Sequence, residues 1–78
     1  MNYNKLKGKI REVFGTQKAF ADAIGLSVVA VNQRLNGNVQ WKTPEIARAC
    51  EVLRIPSEEV WQYFFYPKSI ENYTRQEA

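Results

Sequence analysis

An all-α domain of five helices is the fold that these 78 residues predict, and three observations carry that reading. Apolar residues recur at spacings of three and four, the period of one helix face, and no run of alternating β-branched residues reads as a strand. A residue able to cap a helix, Asn4, Thr16, Ser27, Thr43 or Ser57, stands ahead of each stripe. The stripes are separated at Gly15, Gly25, Asn36-Gly37 and Ile55-Pro56, where glycine permits a left-handed turn and proline biases the residue before it away from helix.

In the first helix, 4–14, Leu6, Ile10, Val13 and Phe14 form one inward stripe while the lysines and Arg11 point out. Asn4 is its expected cap and Gly15 its end. Thr16 opens a second helix running to Ile24, in which Phe20 and Ile24 face the core and Ala21 lets another helix axis approach closely. Gln17, Lys18 and Asp22 are left for solvent or a ligand. Gln17 lies in the first turn, beside the positive end of the helix dipole and its unpaired N–H groups, where a phosphate is readily held. Gly25, Leu26 and Ser27 then make a connection so short that it suits two helices crossing steeply.

The third helix turns Val31 and Leu35 inward, which leaves Val28, Val29, Asn32, Gln33 and Asn36 outside and Arg34 on the flank. Residues 37–43 form a loop in which Asn38 and Gln40 can donate to phosphate oxygens and Lys42 supplies charge. Trp41 either pins this loop to the core or stacks on a partner. Thr43-Pro44 starts a fourth helix, with Ile46, Cys50 and Leu53 inward, Ala47 and Ala49 allowing close packing, and Glu45 and Arg48 outside. Ser57 is the expected cap of a fifth, where Glu58 and Glu59 favour the positive end and Val60, Trp61 and Phe64 are core candidates. The run WQYFFY at 61–66 holds more aromatic surface than one short helix buries. Tyr63, Phe65 and Tyr66 either fold back over the first helix or form a dimer contact. The polar residues 67–78 are a frayed tail or a short extra helix.

Composition excludes several classes. Hydrophobic content of 45% and aromatic content of 13% are too high for a wholly disordered chain. No stretch approaches the roughly twenty apolar residues that span a bilayer, and the start lacks the apolar centre of a signal peptide, so a cytoplasmic protein with no membrane partner is expected. With Cys50 the single cysteine and no histidine, there is no internal disulfide and little basis for zinc, so no metal or other cofactor is expected. No nucleophile-base pair, carboxylate pair or glycine-rich phosphate loop stands out, so neither enzyme activity nor a small-molecule substrate is expected. The net charge of +3 is unevenly spread. Residues 1–42 carry seven cations against two carboxylates, and residues 43–78 carry four against six. Such a polarity suits a domain that turns one face to a polyanion.

The residues Thr16-Gln17, Ala21, Gly25, Val31 and Asn36-Gly37 together resemble the helix-turn-helix of phage repressors and Cro proteins, the xenobiotic-response-element-like family. With the ending PSEEVWQYFF, the likeness extends over about residues 4–66 and is similar to small phage-encoded regulators of that family. It implies a five-helix, lambda-repressor-like DNA-binding domain over 1–66, with its motif at 16–37. It further implies base contacts in the major groove from Ser27, Val28, Val29, Asn32 and Gln33. Phosphate contacts would come from Gln17, Lys18, Arg34, Asn36, Asn38, Gln40 and Lys42. Val28 and Val29 depart from the pattern, since such proteins usually carry hydrogen-bonding side chains there. Valine packs on thymine methyl groups but reads no donor or acceptor, whereas Asn32 and Gln33 keep an amide suited to adenine.

Two functions follow from this reading. One is a sequence-specific regulator of double-stranded DNA, acting by occupancy as a homodimer on half-sites about 34 Å apart. The other is an antirepressor-like interaction module that keeps the scaffold without base readout and binds a protein through Val28, Val29 and the aromatic ending.

Overall fold

The apolar stripe of the first helix explains where the core begins. In the computed structural model, which describes residues 3–65, α1 spans Asn4–Phe14 and buries Leu6 and Ile10. It is followed by α2 (Gln17–Ile24), α3 (Val28–Leu35), α4 (Thr43–Leu53), a 3-10 turn (Ser57–Glu59) and α5 (Val60–Phe64). The architecture is therefore all-helical, with five α-helices and no strand among the described residues. None of the helices is long and apolar enough to cross a membrane. Residues 67–78 and Tyr66 lie outside the described residues.

Phe20, Ala21 and Ile24 place α2 at the centre, where it packs on α1, α3 and α4. Ala21 is fully buried, and its lack of bulk is what lets neighbouring helices close on α2. Phe14 meets Phe20 with ring centroids 5.8 Å apart. Leu35, Val31, Ala49 and Leu53 complete the seam from α3 and α4, while Tyr63 and Phe64 close it from α5.

Several expectations are corrected by the packing. Asn4 is the first helical residue of α1, not its cap, which is Tyr3. Val13 is 43% exposed, so the inward stripe consists of Leu6 and Ile10, with Phe14 partly buried against Phe20. Lys42 caps α4 in place of Thr43, and its N–H donates to Glu45 Oε1 at 2.9 Å. Ala47 faces outward while Ala49 makes the close approach, and Cys50 is half-buried. Burial alone raises the Cys50 thiol above its ordinary pKa.

At the α4 end, the turn is made by Arg54 itself, which adopts a left-handed conformation at φ 58° and ψ 43°. Ser57 makes no side-chain cap, because a 3-10 turn starts there and its first bond runs from Glu59 N–H to the Pro56 carbonyl. The short α5 that follows leaves Trp61, a core candidate, 41% exposed and turns Tyr63 inward, the first of the two courses open to it. Tyr63 lies in the core, with the Lys5 ammonium 5.1 Å from its ring centroid, so it is not available as a dimer contact.

Candidate functional site

The α2–α3 unit is built almost wholly from its own residues. Thr16 Oγ1 accepts from Ala19 N–H at 3.1 Å and Ser27 Oγ accepts from Ala30 N–H at 3.0 Å, so each helix start is capped as expected. Gly25 adopts φ 77°, and the N–H groups of Gly25 and Leu26 return to the carbonyls of Asp22 and Ala21. A side chain at Gly25 would meet Arg48 Nη1 at 3.3 Å, since Arg48 reaches from α4 to donate to the Ile24 carbonyl. That cross-tie holds the turn at a fixed place over α4.

With Val31 and Leu35 buried beneath it, α3 turns Val28, Val29, Asn32, Gln33 and Asn36 to solvent, and its cap Ser27 is exposed with them. Val29 is 66% exposed and Val28 37%, so an apolar step stands at the head of the helix. The amides beside it are already linked to one another. Asn32 Nδ2 donates to Gln17 Oε1 at 3.4 Å, and Asn36 Nδ2 donates to Asn32 Oδ1 at 3.0 Å. This relay joins the first turn of α2 to the outer face of α3. The exit from α3 is closed by its own loop, where the Gln33 carbonyl accepts from both Asn38 and Val39 N–H. Asn38, Gln40 and Lys42 remain exposed along that loop.

Charge is where the surface differs most from expectation. Arg34, expected on the flank for a phosphate, is buried instead. Its Nε and Nη2 donate to the two oxygens of Glu45 at 2.8 and 3.0 Å, and its Nη1 donates to the Ala30 carbonyl at 3.0 Å. Glu45, expected outside, is correspondingly drawn in, and the Arg34 guanidinium holds its carboxyl below the usual carboxylate range. The physical reason is that one carboxylate can both bind the fork of Arg34 and receive the Lys42 N–H, tying α3 to the start of α4. Lys18 is exposed but spans one turn to Asp22 at 3.3 Å. Both cations within 16–37 are therefore paired.

Trp41 pins its loop to the core, meeting Phe64 edge-on with centroids 5.3 Å apart. Of the expected dimer residues, Phe65 is 46% exposed, Tyr63 is buried and Tyr66 is outside the described residues. Sequence reasoning missed the Arg34–Glu45 pair and the Arg48 tie. An arginine and a glutamate eleven residues apart carry no local signature, although an acid at the third position of a helix start is a weak signal. Among the described residues no group of His, Cys, Asp and Glu is disposed to hold a metal.

The fold and this surface define a small all-helical domain with one capped, solvent-facing helix, α3, held over a single core. The chain belongs to the family described as "Protein of unknown function (DUF739)", whose match covers residues 1–67. Among solved structures it is similar to the solution structure of the modulator of repression (MOR) of the temperate bacteriophage TP901-1 from Lactococcus lactis. The identity is 45% and the TM-score 0.73, covering 82% of this chain and 86% of that one. That relative is by its description a phage modulator of repression. No curated protein matches the chain.

Proposed function

We propose that this chain modulates repression by binding a protein partner on its α2–α3 face, as an antirepressor-like module on a helix-turn-helix scaffold. The observation that carries the reading is the character of that face: two exposed valines at its head, and both cations of the motif bound to carboxylates. Affinity for duplex DNA comes largely from lysine and arginine neutralising phosphates. An apolar step ringed by neutral amides suits a protein surface better, because apolar contact there releases water without desolvating free charge. The description of the relative as a modulator of repression supports the same direction.

A second reading, a DNA-binding regulator acting as a homodimer, is favoured by one specific observation. The Asn32 and Gln33 side chains stand exposed on α3, where an amide can meet an adenine edge. In that reading Gln17, Asn36, Asn38, Gln40 and Lys42 would fix the register on phosphates.

Two measurements separate the readings. Selection by the purified chain from a random duplex library is expected to return no consensus. In cells carrying a repressed TP901-1 promoter and a reporter, the wild-type chain is expected to lift repression, and Val28→Asp with Val29→Asp to abolish the effect at unchanged melting temperature. A selected consensus whose binding disappears in Asn32→Ala with Gln33→Ala, together with repression that persists beside the wild-type chain, would sink the protein-partner reading and establish the second.

A further inference from the structure

A cleft of about 120 Å³ opens between α1 and the start of α2, lined by Lys7, Ile10, Arg11, Gly15, Thr16 and Gln17. Lys7 and Arg11 stand four residues apart on one flank of α1, so both cationic heads border the same opening. Neither is ion-paired among the described residues, unlike Lys18 and Arg34. The apolar floor at Ile10 is fully buried, which lowers the local dielectric and strengthens attraction for an anion above that available on an open face. Gln17 lines this cleft and is also the residue to which Asn32 of α3 donates. The cleft is therefore continuous with the α2–α3 face.

From these observations we infer that the cleft receives a single carboxylate, the side chain of an aspartate or glutamate on the protein partner, with Lys7 and Arg11 as its binding pair. The inference rests on the protein-partner reading and names part of that partner's chemistry: an acidic residue beside an apolar patch that covers Val28 and Val29. A carboxylate is favoured over a phosphodiester because the opening holds only about 120 Å³ and just two cations, Lys7 and Arg11, line it. A duplex spreads its charge over many phosphates and is held by a stripe of cations, whereas the cations next to this cleft along α2 and α3 are already paired.

Amide chemical shifts of the full chain, titrated at constant ionic strength, test the assignment. The probe is an acetylated, amidated tetrapeptide of three glutamates and one leucine, run beside a mixed-sequence DNA duplex. The peptide is expected to shift the Gly15, Thr16 and Gln17 amides saturably in the millimolar range. Lys7→Gln with Arg11→Gln is expected to weaken that response at least ten-fold, while Lys9→Gln, on the other flank of α1, leaves it unchanged. Shifts that never saturate, or that survive the double substitution, overturn the assignment. So does a duplex that moves the same amides at a ten-fold lower concentration than the peptide, which would make a DNA phosphate the occupant. A failure here leaves the response to Val28→Asp and Val29→Asp untouched, so the two readings fail separately.

Discussion

From Thr16 to Gly37 each helix start is capped by a side chain of its own, whereas from Lys42 to Phe65 the ends are closed by backbone bonds and the start of α4 shares its carboxylate with a residue of another helix. Thr16 and Ser27 cap their helices with side-chain oxygens, and Gly25 and Gly37 supply positive φ where the chain reverses. In the second region Ser57 caps nothing, a left-handed arginine ends α4, and the start of α4 is fixed by a carboxylate that also holds Arg34. The difference teaches how the candidate surface is maintained. The α2–α3 unit has its shape built in, and the second region acts as its mount through Arg34–Glu45 and Arg48–Ile24.

The mount can be broken at Arg34. The side chains of Arg34 and Glu45 are only 10% and 16% exposed, so removing one partner strands the other. Arg34→Ala is expected to cost about 3 kcal/mol in chemical denaturation, while Arg34→Met with Glu45→Leu recovers most of it. Equal stability in the single and double variants would show that the pair is not the tie between the regions.

Acid loosens the same tie. The folded Glu45 carboxyl titrates below its ordinary value, with the Arg34 hydrogen bond as the leading cause. Its stabilisation is therefore complete above the ordinary carboxylate range near pH 4.5 and is lost as pH falls through the lower, folded value. Melting temperature followed from pH 6 downward should fall more in the wild type than in the Arg34→Met, Glu45→Leu variant.

Capping gives the sharpest like-for-like test. Thr16→Ala and Ser27→Ala should each cost about 1 kcal/mol, and Ser57→Ala should stay within about 0.5 kcal/mol, the ordinary range for a surface change. Equal losses at all three serine and threonine positions would erase the contrast between the regions. The smallest effect is a gain. Arg54 carries a side chain at φ 58°, a conformation that costs an L-residue roughly 1–2 kcal/mol. After the extra freedom of glycine in the unfolded chain is subtracted, Arg54→Gly should stabilise by about 0.5 kcal/mol.

Legibility along the chain follows the same division. The outward set Val28, Val29, Asn32, Gln33 and Asn36 could be read directly, because Val31 and Leu35 fix the phase of α3 once both are taken as buried. Arg34 could not. Its long side chain can lie along the flank and face out or fold in, and only a carboxylate from another helix selects the inward course. Trp61 was misplaced, and Tyr63 left open, for a related reason: a five-residue helix has too few turns for periodicity to set its phase.

The sequence by itself determined the helical class, the two capped starts and the glycine turn of the α2–α3 unit, since each depends on neighbours within a few residues. Only the tertiary structure decided which charges remain free and which aromatics are covered. Those outcomes depend on groups far apart in the chain, and their energies exist only after the helices have packed.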